Sequence, residues 1–242
     1  MIYTLTMATS QRKYGSMGLL KGMSKKQEED VRENRENFFK MLGIGPERVV
    51  QARIVHGTKI RNVDAVPASG VIPRSDGLIT NVPNIFLAII TADCFPLFLA
   101  DSSKHAVGIA HVGWRGVRKY IVSEIVNALK NYFGTDPKNI KVFLGPGIRQ
   151  CHFEVKEDVL DHFTQEQYTP HIQIRAGVVY INLAGIIKEQ LLSCGISCDA
   201  IEEDTTCTYG NDLRYFSYRR NTHTPGDHGQ MISVIGFRKE EA

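Results

Sequence analysis

The chain is poor in several things that would have decided its class early. It has one tryptophan, and its five cysteines (94, 151, 194, 198 and 207) are odd in number and irregularly spaced. That pattern argues against a disulfide framework and for reduced thiols, with the cytosol as the expected compartment. No apolar run approaches the length of a membrane span, because "IFLAII" and "FPLFLA" are interrupted by "TADC". The first residues, "MIYTLTMATSQRKYGSMG", contain no apolar stretch of signal-peptide length. Charge of either sign is nearly balanced at a net +3, without a long Lys/Arg run, so no nucleic-acid footprint is expected. Internal repeats and low-complexity tracts are absent as well.

The 242 residues, 43% of them hydrophobic and 23% charged, suffice for a sizeable core. Residues 24–42 predict a helix capped by Ser24, with an apolar stripe at Val31, Phe38, Phe39 and Leu42 and a stop at Gly43. Runs rich in Ile, Val and Phe predict strands at Val49–Val55, Gly77–Thr80, Ile85–Ile90, Phe95–Ala100 and Ala106–Ala110. Further strands are expected at 140–144, 178–181, 213–218 and 231–235, and helices at 118–133, 155–163 and 183–193. Strands come in blocks rather than alternating with helices. The expected class is therefore α+β, with mixed β-sheets flanked by helices in a single domain spanning 1–242.

Three metal-ligand side chains lie at the edges of apolar runs: His56 after "VVQARIV", Cys94 within "IITADCFPLFLAD" and His111 after "AVGIA". Two imidazoles and a thiolate suit a catalytic zinc, which typically keeps three protein ligands and leaves a fourth position open. Their separations match no zinc-finger spacing, and each residue alone also reads as a core or hydrogen-bonded side chain. Gly113 and Gly116 permit a tight turn after His111, and a helix beginning near Arg118 would favour an anion there. Arg12, Arg115 and Arg219 are candidate phosphate ligands, with Arg220 beside them; each could equally make an ion pair. Trp114 reads as a purine-stacking wall or as packing. Asp93 reads as an acceptor orienting a histidine or as a backbone cap, and Asp76 as a turn residue. Cys151 with His152, and Cys194, Cys198 and Cys207, raise the question of a second metal site, but their spacing matches no zinc knuckle and the cysteines read as core or free thiols. The loop "THTPGDHG", with His223 and His228, reads as solvated.

Taken in order, "IVHG", "SDGLIT", "TADCFPLFLAD", "AHVGWRG", "LGPGIRQCHFEV", "CTYGNDLRYFSYRR" and "GQMISVIGF" resemble the YfiH family across almost the whole chain. Its members are purine nucleoside phosphorylases formerly described as polyphenol-oxidising laccases. The resemblance implies that His56, Cys94 and His111 form a catalytic centre holding Zn2+. It further implies phosphorolysis of adenosine, inosine, guanosine and methylthioadenosine to free base and ribose 1-phosphate, with adenosine deamination at the same site. The partners it implies are a purine nucleoside and phosphate; no nucleic acid, membrane or protein partner is indicated. Ile54, Val112 and Gln230 depart from the family's usual residues without touching the three ligands. Two other chemistries bear on the same residues. Cys94 could act as the nucleophile of a cysteine hydrolase with His56 or His111 as base. A copper-dependent phenol oxidoreductase would need many histidines, usually in His-x-His pairs, and the eight present contain no such pair.

Overall fold

A computed structural model describes residues 2–240 apart from Leu20, Lys21, Pro225 and Asp227. In chain order the strands are β1 (Tyr3–Thr9), β2 (Val49–Ala52), β3 (Ile60–Asn62), β4 (Val71–Ile72), β5 (Gly77–Thr80), β6 (Phe86–Thr91), β7 (Phe95–Asp101), β8 (Ala106–Val112), β9 (Lys141–Leu144), β10 (Glu154–Val155), β11 (Ile172–Arg175), β12 (Val178–Ile181), β13 (Ile201–Glu203) and β14 (Met231–Lys239). The helices are α1 (Lys25–Met41), α2 (Trp114–Arg118), α3 (Ile121–Phe133), α4 (Glu157–Leu160), α5 (Leu183–Ser193) and α6 (Tyr218–His223).

Every residue of β7 and β8 is buried, so these strands show apolar runs instead of alternation. Their side chains nonetheless divide by face. Leu97, Leu99, Ala106, Ala110 and Val112 pack with Ile121, Ile125 and Leu129 of α3 and Ile187 and Leu191 of α5. Phe98, Ala100, Val107 and Ile109 pack the other way, onto Val50, Leu87, Ile89 and Ile235 of a second sheet. That second sheet is covered on its far side by Phe38 and Phe39 of α1, with Met17 and Ile44. The result is a helix–sheet–sheet–helix stack. Each buried Leu, Ile or Phe contributes about 1.5–3 kcal/mol against exposure. At Gly108 α3 packs close on the sheet: a Cβ there would lie 3.1 Å from Ile125 Cδ1.

The six-stranded sheet runs β13-β9-β7-β8-β5-β3 and the five-stranded sheet β1-β14-β6-β2-β4; a small antiparallel sheet orders β10-β12-β11. Both large sheets are mixed. The central β9-β7-β8-β5 ladder is antiparallel, whereas β3 and β13 join it in parallel at the edges. In the other sheet β1, β14 and β6 are antiparallel, and β2 is parallel to both β6 and β4. The α+β class with mixed sheets flanked by helices is therefore observed.

Local signals account for α1. Ser24 Oγ accepts from Gln27 N at 3.3 Å while Gln27 Oε1 accepts from Ser24 N at 2.9 Å, a reciprocal cap. Gly43 follows in the left-handed region, at φ 66°. Three expectations need correction. The helix expected over 118–133 forms but starts later, at Ile121, because Tyr120 takes φ 58° and separates it from the short α2 before it. The strand expected at Val49–Val55 ends at Ala52. No strand forms over 213–218, although Tyr215 and Phe216 are buried with Met231. There the Arg220 guanidinium donates to the carbonyls of Tyr215, Thr208 and Tyr209, supplying the donors that a neighbouring strand would have supplied.

Candidate metal centre

Three elements of different kinds deliver the three expected ligands. His111 lies inside β8, which continues to Val112, and not just beyond the strand's end. Its main-chain N–H donates to Asp76 O at 2.8 Å, and the residue is 5% exposed. Cys94 sits in the short connection between β6 and β7. His56 lies four residues past β2, in an exposed loop rather than at a strand end, with φ 58°. That loop is held where Val55 N donates to Asp76 Oδ1 at 3.2 Å. Left-handed backbone is uncommon for a side-chain-bearing residue and costs energy that the surroundings must offset.

One ligand atom from each of His56, Cys94 and His111 lies within 4.8 Å of those of the other two. The two imidazoles stand edge to face, 5.0 Å between centroids at 89°. Ligand atoms arranged tetrahedrally around zinc are separated by about 3.3–3.8 Å, given bonds of about 2.0–2.3 Å, so these separations suit a shared ion. Gly113 keeps the space open. A Cβ there would fall 2.7 Å from Cys94 Sγ and 3.8 Å from His111 Cε1, which explains why glycine follows Val112.

Burial pushes the Cys94 thiol up to about 12; Asp93 adds to the rise, Arg115 opposes it and Asp76 adds a smaller part. Burial also lowers His111 to about 3, aided by His56. Near neutral pH these two groups are uncharged in the metal-free chain. A dication among them reverses this for sulfur, because a coordinating thiol loses its proton. A thiol raised this far is ill-suited to the nucleophile of a cysteine hydrolase, which needs a depressed pKa.

Asp76, which in sequence looks like a turn residue, is fully buried beside the centre. Its Oδ1 lies 3.8 Å from His111 Nδ1, and its Oδ2 has no hydrogen-bond partner. A buried carboxylate next to a ligating histidine is a common means of orienting the ring. The only sequence signal was its place directly before the buried strand β5. Asp93 does something different from orienting a histidine. It adopts φ 79° and accepts from Thr208 Oγ1 (2.6 Å), Arg219 N (2.7 Å) and Ser217 Oγ (3.0 Å). It thereby ties two later segments to the Cys94 turn.

The arginines part company. Arg115 is exposed, acts electrostatically on the Cys94 thiol, and stacks on Trp114 at 4.2 Å. The Arg219 guanidinium donates to Glu154 O at 2.9 Å, and its backbone lies in α6 rather than in a strand. Arg12 lies over the Phe216 ring at 5.0 Å. Trp114 stacks on His162 at 5.3 Å and packs against the core below α3. The helix after Gly113 starts at once, with Trp114, but is only five residues long, so it contributes little dipole and leaves Arg115 as the anion-attracting group of this turn. A groove of about 460 Å³ lined by residues including Lys59, Ile60, Glu124 and Tyr132 contains none of the three ligands. Among the described residues Cys151, His152 and Cys207 form a second such cluster, which spacing alone did not reveal; Cys194 and Cys198 are not part of it. Of the expected loop 222–229, Thr222 and His223 end α6, where His223 Nδ1 meets Tyr209 Oη at 3.3 Å, while Pro225 and Asp227 lie outside the described residues.

An α+β stack that brings a thiol and an imidazole from two loops to a third ligand on β8 defines a protein with a metal-binding type of site, and comparison with known proteins specifies it further. The chain belongs to the family described as multi-copper polyphenol oxidoreductase laccase, which it matches over residues 1–238. It is 33% identical over 211 residues to a purine nucleoside phosphorylase of Deinococcus radiodurans, covering 87% of this chain and 79% of that one. A Xylella fastidiosa protein of the same name is 32% identical over 197 residues, covering 79% and 74%. Among solved structures, the hypothetical protein YfiH of Bacillus licheniformis superposes with a TM-score of 0.88 at 29% identity, covering 97% of this chain and 93% of that one. YlmD of Geobacillus stearothermophilus gives 0.86 at 27% identity, covering 97% and 92%. No described helix is long and apolar enough to cross a membrane.

Proposed function

We propose that this chain is a purine nucleoside phosphorylase working at His56, Cys94 and His111, with Zn2+ held by those three side chains. The observation that carries the reading is the convergence of the three ligand atoms within 4.8 Å beside a buried carboxylate with an unpartnered oxygen. The names of the relatives supply the reaction class. The donor set fits zinc: two imidazoles and one sulfur, three protein ligands in all, as in catalytic zinc sites. When bound there, zinc supplies Lewis acidity toward an oxygen of phosphate or of water.

In phosphorolysis a phosphate oxygen bonds to ribose C1′ while the C1′–N9 bond breaks and its electron pair leaves with the purine. The ribose carries positive charge as the bond opens. The protein's main tasks are to hold phosphate against that carbon and to exclude competing geometries. Arg115 offsets the phosphate charge that remains, and its stacking on Trp114 restrains the guanidinium. Asp76, its Oδ1 3.8 Å from His111 Nδ1, is the acceptor placed to orient that ring once the centre holds its metal. Gly113 leaves room beside sulfur for a ligand. His56, the exposed member, marks the side from which substrate enters.

The substrate range proposed is adenosine, inosine, guanosine and methylthioadenosine. Adenosine deamination at the same centre, consuming water and leaving the glycosidic bond intact, completes the proposal. The test has two parts. Metal content is measured on protein purified without added metal; zinc at about one or more per chain supports the reading. The four nucleosides are then incubated with and without phosphate, and bases, sugars and sugar phosphates are separated. Phenol oxidation by copper-loaded protein, with no turnover of nucleosides, would replace this reading with the one in the family's description.

A further inference from the structure

Away from the centre, the turn at 150–152 brings two adjacent side chains to one point. In a strand, neighbours face opposite ways; here His152 N and Phe153 N both donate to Arg149 O at 2.9 Å, closing a tight turn that turns Cys151 and His152 together. His152 Nδ1 lies 3.1 Å from Cys151 Sγ and 3.4 Å from Cys207 Sγ. The third member arrives by another route: Gly147 and Cys207 form a parallel bridge, and Thr208 N donates to Gly147 O at 3.1 Å.

The cluster is held in place on several sides. The His152 ring stacks on Tyr209, 4.6 Å between centroids at 27°. Gly210 leaves that ring its space, since a Cβ there would sit 3.1 Å from His152 Cε1. Cys207 Sγ accepts from Arg149 N at 3.4 Å, which fixes the sulfur's position. The Arg175 guanidinium donates to Gln150 O and Cys151 O, fixing the turn from outside.

We propose that Cys151, His152 and Cys207 form a second cation site, separate from His56, Cys94 and His111, that takes a thiophilic ion of the zinc(II) class. All three ligand atoms lie within 4.8 Å of one another. The two nitrogen–sulfur separations are close to the edge of a zinc tetrahedron, about 3.5 Å for bonds of about 2.3 and 2.0–2.1 Å. Two thiolates and an imidazole form a soft set that discriminates against magnesium and calcium. An imidazole nitrogen within reach of both sulfurs serves a cation, whereas a disulfide has no use for it. Cys151 is exposed, so a fourth position faces solvent. The site also bears on the first centre: the residue after Cys207, Thr208, donates to Asp93, which precedes Cys94. A cation here would tie the 150–152 turn to the segment whose Thr208 holds Asp93.

The experiment uses the full chain carrying Cys94→Ala, which removes the first centre's sulfur, so that failure of this proposal is distinct from failure of the assigned function. The protein is reduced, stripped of metal and titrated with cobalt(II) as a spectroscopic substitute for zinc. The expected result is binding of about one cobalt with thiolate-to-metal charge-transfer absorption of two sulfurs. Losing even an outer-shell partner costs about 10–100-fold in affinity, so adding His152→Ala or Cys207→Ser is expected to weaken binding by at least about 100-fold. His152→Ala leaves both thiols in place and keeps the test readable if Cys207→Ser fails to fold. A Cys94→Ala chain without that absorption, or combined variants with unchanged affinity, would overturn the proposal. So would a Cys151–Cys207 disulfide recovered from protein purified under reductant.

Discussion

His111 and His152 each offer an imidazole beside a thiol, yet their settings are opposite. His111 is on a fully buried strand, 5% exposed, with a buried carboxylate next to its ring. His152 is in a surface turn, stacked on Tyr209, with main-chain N–H donation to Cys207 in place of a carboxylate. At the first cluster burial drives the Cys94 thiol up to about 12 and the His111 imidazole down to about 3, so both polar groups stand uncharged against the core. Burial without compensation is expensive, and a chain retains it where chemistry needs it. The second cluster is reached more easily by solvent and rests on local turn geometry. Under the proposed function the first cluster carries the chemistry, and under the second proposal the other supports its loops.

The largest expected effect comes from breaking the first cluster. Cys94→Ala and His111→Ala should each lower phosphorolysis by at least about 1000-fold, which is about 4 kcal/mol of barrier. Far-ultraviolet circular dichroism should remain that of the folded chain, since the four-layer core does not rest on either side chain. Wild-type turnover in either variant would contradict the comparison. Next in size is Asp76→Asn. If the carboxylate orients His111, metal affinity and activity should fall about 10–100-fold, and a competition titration with a zinc chelator measures the affinity directly. An unchanged affinity would make Asp76 purely structural.

Smaller effects separate the arginines. Arg115→Ala should raise the KM for phosphate by about tenfold, the scale of a charge-assisted hydrogen bond, with kcat changed less. Arg219→Ala should leave that KM unchanged and cost about 1 kcal/mol of stability, read as a lower thermal midpoint, because its guanidinium is spent on Glu154 O. The reverse pattern would move the anion site to α6.

How much of this could be read before the fold was known depended on how local the cause was. The Ser24 cap of α1, the apolar runs of β7 and β8 and the helix over 183–193 have local causes, and all are where the residues put them. The edge strands β3, β4 and β13 are two or three residues long and exist through their partners, so no run of sequence announced them. His56 was legible as a ligand type but not as a loop residue. Its left-handed backbone follows a segment held to Asp76 at a sequence separation of 21. Asp76 itself was hidden because an Asp-Gly pair reads as a turn wherever it occurs. The Cys151–His152–Cys207 grouping could not be singled out because Cys207 lies 55 residues beyond His152, and only the fold selects it over Cys194 and Cys198.

The central claim is that phosphate is the nucleophile toward ribose at His56, Cys94 and His111. It is tested most directly by following inosine with zinc-loaded chain over a range of phosphate concentrations. The account predicts that hypoxanthine release depends on phosphate, saturates with it, and yields ribose 1-phosphate in equal amount. Arsenate should support base release with free ribose as the sugar product, because the arsenate ester hydrolyses. Hypoxanthine and free ribose formed at the same rate without phosphate would contradict the account and make the enzyme a hydrolase.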